Sequence, residues 1–206
     1  MPLARVSRGV GNARARCPRA SRRGRRRYGL PAFSLLTPLF CCSILAIPCL
    51  AQAGQAMPRI EGESFAGRKV VLPDAASGKV AALILGFSKG SKGPTSAWGE
   101  KAGSEFGSHP GFELYQLPVL EDVPRLFRGM VISGIKKGVK ENARDHFVPI
   151  VQGEASLKKL VGYKEADDAY IIILDRSGQI FGQMHGEFSE TLYAQFSAQV
   201  QKLLGH

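Results

Sequence analysis

Cysteine is missing from most of this chain. The four present, Cys17, Cys41, Cys42 and Cys49, all precede Ala53, and none occurs from Gly54 to His206. A disulfide exchanger needs a low-pKa thiolate in a Cys-x-x-Cys turn at a helix start, and a thiol peroxidase needs one such cysteine. Thiol chemistry is therefore excluded from residues 54–206. Soft-metal delivery goes with it, because His109, His146, His185 and His206 are scattered and no thiolate can join them. Neither a metal nor a cofactor is expected.

Acidic residues are missing from the opening stretch. The first 27 residues hold ten arginines and no Lys, Asp or Glu, so the net charge of +11 over 206 residues belongs to them. Residues 28–206 carry 18 basic against 17 acidic side chains. No basic stripe there is interleaved with aromatics, so nucleic acid is not an expected partner. From Tyr28 to Ala51 charge is missing altogether. Arg22–Arg27 (RRGRRR), this apolar stretch and Ala51-Gln52-Ala53 read as the three regions of a secretory signal peptide. Left uncleaved, the stretch is long enough to span a bilayer, although Pro31, Pro38 and Pro48 interrupt it. An Arg-rich, acid-free leader also fits a mitochondrial transit peptide. The expectation is a signal peptide or membrane anchor over residues 1–53 and one domain over 54–206. That domain is placed in the periplasm or envelope, with the mitochondrion as the alternative. Membrane contact is expected only through an uncleaved leader.

Polar residues are missing from two short runs, Val80–Phe87 and Ala169–Leu174. Neither alternates, so each reads as a central strand covered on both faces. The first is followed by a Gly, Ser and Lys loop, Ser88–Gly93, and then by Trp98, Ala102 and Phe106 at helical spacing. Gly99, Gly103 and Gly107 weaken that helix. Phe112–Val119 reads as a strand and Ile60–Pro73 as a hairpin or edge strand turning at Gly67. Glu121–His146 is the longest helical candidate, with Val123, Leu126, Phe127, Met130, Val131, Ile135 and Val139 on the helical period. Gly134 and Gly138 share a face that should pack closely on the sheet, with a partner groove as the alternative. Phe147–Val151 reads as a short extended segment that Pro149 keeps out of a central position, and Ser156–Val161 as a short helix. Asp175-Arg176-Ser177-Gly178 is a hairpin turn, Gln179–Met184 returns antiparallel, and Ser189 caps a last helix striped by Leu192, Phe196, Val200 and Leu203.

The element order is β-α-β-α-β-β-α. Alternation calls for parallel crossovers, and the closing hairpin adds an antiparallel edge. The fold class is α/β and thioredoxin-like: a mixed sheet of four to five strands flanked by helices, with a short amino-terminal β extension. In that arrangement Ser88-Lys89-Gly90-Ser91-Lys92 stands where reactive cysteines would sit. The proline usual before the strand at Ala169 is also missing, Asp167 and Asp168 standing there instead.

Three readings of polar residues follow. Ser88 or Ser91 could be a nucleophile with His185 as base and Asp168 or Asp175 as orienting acid, against ordinary loop polarity. Lys89 and Lys92 could hold an anion at a helix start, against solvated charge. Arg128, Lys136 and Lys137 could form a basic contact patch for a protein partner of unknown identity, against a solvated face.

A resemblance runs from the turn at Phe65 onward, with its quoted motifs in residues 126–186. Arg128-Gly129-Met130, Ser133-Gly134-Ile135-Lys136-Lys137 and Tyr170 through Asp175-Arg176-Ser177-Gly178-Gln179-Ile180 resemble the mitochondrial ATP synthase assembly factor called ATP ten and its bacterial relatives. The resemblance implies a thioredoxin-like fold used for protein interaction rather than thiol exchange, and it supplies no catalytic residue. The functional expectation is a non-redox, exported interaction or assembly factor. The alternative is an exported antioxidant or enzyme with non-thiol chemistry.

Overall fold

The computed structural model describes residues 54–205, and the leader expected over residues 1–53 lies outside them. The two apolar runs are the centre of the fold. Strand β4 (Val80–Gly86) and strand β6 (Ala169–Leu174) are buried at every position. They pair antiparallel, and β4 also pairs in parallel with β5 (Phe112–Pro118). A parallel neighbour needs a crossover, which α1 (Lys92–Phe106) supplies. Strand β7 (Gln179–Gly186) returns antiparallel to β6, and β1 (Gln55–Ala56) adds a short edge, giving the order β1-β7-β6-β4-β5. The expected mixed sheet of four to five strands is this five-stranded one.

Each central strand feeds two cores because its side chains alternate between faces. Val80, Ala82 and Ile84 with Ile171 and Ile173 meet Trp98, Ala102 and Phe106 of α1 and Tyr193, Phe196 and Val200 of α4 (Glu190–Leu204). Ala81, Leu83 and Leu85 with Ile172 and Leu174 face the other way. They are covered by the hairpin of β2 (Ile60–Glu63) and β3 (Lys69–Leu72), by Val148 and Ile150, and by Leu157 of α3 (Glu154–Leu160). Each fully buried aliphatic side chain contributes about 1.5–3 kcal/mol.

The turns follow their residues. Asp175 Oδ1 accepts from the Ser177 amide (2.8 Å), the Ser177 hydroxyl (2.6 Å) and the Gln179 amide (3.0 Å). Gly178 supplies the positive φ (79°) that closes the hairpin. Burial works to raise the Asp175 carboxyl, but these bonds outweigh it and hold it below the usual aspartate range. Ser189 Oγ accepts from Leu192 N at 3.3 Å and caps α4, and Gly205 ends it in the left-handed region.

The long helix differs from its expectation. It breaks into α2 (Arg125–Gly138) and a 3-10 turn (Glu141–His146) separated by extended Val139 and Lys140. Gly138 stands at the break, where the helix is weakest. Pro124 is extended (ψ 135°) and precedes the first turn. No residue of α2 is buried, and a Cβ at Gly134 or Gly138 would meet nothing within 4 Å. The close packing expected of those two glycines is absent, because that side of the sheet is already filled by the hairpin, α3 and Val148/Ile150. The segment after the 3-10 turn runs beside β5, with Val148 N donating to Gln116 O and Ile150 N to Pro118 O. Among the described residues no helix is long and apolar enough to cross a membrane.

Candidate functional site at the end of the central strands

Gly86 of β4, Ala169 of β6 and Gly186 of β7 lie side by side. The residues beyond them, Ser88–Lys92, Asp167 and Asp168, therefore gather at one end of the sheet, with His185 beside Tyr170. This is the carboxyl end of β4, where open α/β sheets present their sites.

Ser88 and Ser91 bracket the turn into α1. Ser91 is buried, at 2% exposure, and its hydroxyl donates to Ser88 O at 2.8 Å. Ser91 N donates to Ser88 Oγ at 3.1 Å, which satisfies one of the helix's orphan amides. Ser88 Oγ in turn donates to Asp167 Oδ1 at 2.6 Å. Gly90 lies against the same carboxylate so closely that a methyl there would overlap it. A second glycine makes room below, since a side chain at Gly86 would run into Ser91. Lys89 and Lys92 point outward, exposed, on either side of the buried serine.

The loop carrying the two aspartates is pinned by an aromatic. The Tyr170 hydroxyl donates to Glu165 O (2.9 Å) and accepts from the amides of Lys164 (2.9 Å) and Glu165 (3.0 Å). Its ring stacks on His185 at 5.3 Å and on Tyr163 at 5.7 Å, with Phe87 edge-on at 5.4 Å. His185 Nδ1 pairs with Asp168 Oδ2 at 2.8 Å. Tyr170 thus fixes both ends of the constellation. A tyrosine inside an otherwise aliphatic strand was the available cue to it.

The structure shows where each group named in the sequence readings makes its hydrogen bonds. The serine's hydrogen bond goes to Asp167, not to His185, so the relay of nucleophile, base and acid is not connected. Asp175 is committed to its own hairpin. The negative charge that a helix start attracts is supplied by Asp167 from within the chain. The basic patch is split as well. Arg128 turns back onto Val123 O (2.7 Å) and Glu121 O (2.6 Å), while Lys136 and Lys137 are exposed two turns further on. Glu121 is itself fastened to α3, its carboxylate accepting from Glu154 N at 2.6 Å. The root of α2 is anchored, and its length is not.

No family model matches the chain, and no curated protein matches it. Solved structures do. A protein assigned as the thiol:disulfide interchange protein DsbE of Chlorobium tepidum aligns at 17% identity and TM-score 0.51, over 74% of this chain and 98% of its own. The exposed lipoprotein thioredoxin Etrx1 of Streptococcus pneumoniae aligns at 15% and 0.51, over 69% and 99%. BsSco, of the Sco family of cytochrome c oxidase assembly proteins, aligns at 9% and 0.52, over 74% and 95%. At these identities the likeness concerns the fold, which is thioredoxin-like. The ATP synthase assembly factors that residues 126–186 resemble gain no support from these comparisons.

Proposed function

We propose that this chain is a non-redox thioredoxin-fold protein that works by interaction, as an exported assembly or holding factor of the periplasm or envelope. The observation that carries the reading is the pair of hydroxyls, Ser88 and Ser91, three residues apart at the head of α1. A serine hydroxyl forms no disulfide and yields no low-pKa anion at neutral pH. Here both hydroxyls are consumed in closing the turn onto itself and onto Asp167. The resemblance of residues 126–186 to an assembly-factor family supports the interaction half. The BsSco neighbour, named for an assembly family, and the Etrx1 neighbour, named as an exposed lipoprotein, are consistent with it.

Insulin reduction tests the redox half. The full chain with Cys17, Cys41, Cys42 and Cys49 all changed to Ser should leave insulin and hydrogen peroxide untouched. Adding Ser88→Cys/Ser91→Cys to that chain should produce an intraloop disulfide by thiol titration. Catalytic turnover by the cysteine-free chain would end the reading. For the interaction half, a photo-crosslinker placed at Lys89 or at Lys92, both exposed, should give a discrete protein adduct in the native envelope. Its absence at both positions would leave no partner.

A further inference from the structure

Between Val123 and Lys140 the chain carries five cations, Arg125, Arg128, Lys136, Lys137 and Lys140, and no anion. Outside that segment the domain is mildly acidic, with 13 basic against 17 acidic side chains. Arg68, Lys79, Arg144 and Lys158 elsewhere are ion-paired, whereas none of Arg125, Lys136, Lys137 and Lys140 has an ion pair among the described residues. The same helix carries the described domain's exposed large apolar side chains, Leu126 (88% exposed), Met130 (68%) and Phe127 (50%). At about 100° per residue these three fall within a quarter-turn or so of one another. Val131, Ile132 and Ile135, which are half-buried, fall on the opposite side, toward the domain. The outward face is therefore an apolar tip over the first two turns followed by lysines over the last, on a convex helix that buries no residue.

From this face we propose that α2 is an interfacial helix that seats the domain on an anionic membrane surface. Leu126, Phe127 and Met130 enter the headgroup boundary, and Arg125, Lys136, Lys137 and Lys140 meet lipid phosphate. Charge selects this occupant. A second copy pairing α2 on α2 would set five cations against five. The chain's own leader brings ten arginines and no acid in its first 27 residues. A nucleic acid would meet the cations and leave three apolar side chains in water. An anionic bilayer offers an apolar layer and negative charge in one plane, and basic amphipathic helices bind such surfaces through both. The lysine stems can lie along the apolar layer while their ammonium groups stay at the phosphates. This is a second membrane contact, additional to the one expected of an uncleaved leader. It stands or falls apart from the redox reading.

The test uses the full chain with Met130→Trp as reporter. Trp98 is buried and common to all variants, so the spectrum of the otherwise identical chain is subtracted. Because the leader can hold the chain on vesicles by itself, the reporter's own depth is read, by brominated-lipid quenching. On phosphatidylglycerol vesicles its emission should move to the blue and be quenched. On phosphatidylcholine vesicles it should not, and salt should reverse the effect. Each cation near an anionic surface is worth about fivefold in binding. Lys136→Glu/Lys137→Glu should therefore raise the lipid needed for half-quenching by about 25-fold or more, with the circular dichroism unchanged. A reporter that stays in water on phosphatidylglycerol, or that seats equally on both lipids, overturns the proposal. So does one that is shielded only when an envelope protein is added, which would make α2 a protein-docking ridge.

Discussion

Helix α1 has Gly93, Gly99 and Gly103 in its length and a thin apolar stripe, yet it buries Trp98, Gly99, Ala102 and Phe106. Helix α2 has Gly129, Gly134 and Gly138 and a fuller stripe, yet it buries nothing. The glycines show why. A Cβ at Gly99 would run into the Gln116 amide of β5, and one at Gly103 would lie 3.7 Å from Leu114, so α1 sits down on the sheet through its small residues. The three glycines of α2 face open space. Periodicity records that a helix has an apolar face. Whether the fold covers that face depends on what else has claimed the sheet, and here the hairpin and α3 have claimed it.

The largest expected difference between the two helices is in packing. Trp98 is fully buried against Tyr193, Phe196 and Phe188. Trp98→Ala should cost about 3–5 kcal/mol in urea unfolding. Leu126→Ala, at a position 88% exposed, should stay within about 0.5 kcal/mol. Comparable losses at the two positions would mean that α2 is covered in the folded monomer, and the contrast would collapse.

A middle-sized effect concerns the polar tie that α1 has and the length of α2 lacks. Glu105 accepts from the Tyr193 hydroxyl and from Ser197 Oγ of α4, each at 2.7 Å. Burial first, then the neighbouring carboxylate, push the Tyr193 hydroxyl well above the usual tyrosine range. Tyr193→Phe should cost about 1–3 kcal/mol near neutral pH, as hydrogen bonds to charged groups do. The pH dependence has a definite sign. The folded state holds the phenol proton more tightly than the unfolded state. The stabilisation is therefore complete below pH ~10 and drains away as pH rises through the unfolded tyrosine's range. The gap between wild type and Tyr193→Phe should narrow from pH ~10 upward. Tyr115, also raised by burial, keeps a residual alkaline slope in both. A gap that widens with pH would show that Glu105 does not hold a neutral phenol.

The same contrast explains what could be read from the chain beforehand. Unbroken apolar runs located β4 and β6, because burial on both faces leaves no room for alternation. The Asp175–Gly178 turn, the Ser189 cap and the stripe of Trp98, Ala102 and Phe106 are local patterns, and they are where the sequence placed them. The stripe of α4 is turned slightly: Tyr193 and Leu204 are buried where Leu192 and Leu203 were expected, and those two are half-buried beside them. At the site, Ser88 and Ser91 stand at the strand-to-helix turn as their spacing indicated. Asp167 could not be assigned to Ser88, because 79 residues separate them and only the pinning of the loop by Tyr170 brings them together. Arg128 was misgrouped with Lys136 and Lys137 for a similar reason. Its guanidinium satisfies carbonyls in the turn before the helix, which charge counting does not see.

The smallest effect is the sharpest discriminator, because one helix should show a gain and the other none. In a solvent-facing helix, replacing Gly by Ala stabilises by up to about 1 kcal/mol, by removing backbone freedom from the unfolded chain. Gly134→Ala should show that gain, since nothing lies within 4 Å of the added methyl. Gly99→Ala should not, because the methyl must first displace the Gln116 amide. That amide is the mobile end of a side chain, so the displacement is modest and the two terms roughly cancel. Chemical denaturation of the two single variants and their double decides the matter, and the two positions share no neighbour, so the effects should add. A destabilising Gly134→Ala would mean that something presses on α2 in the folded monomer, and the outward face assigned to the membrane would already have an occupant.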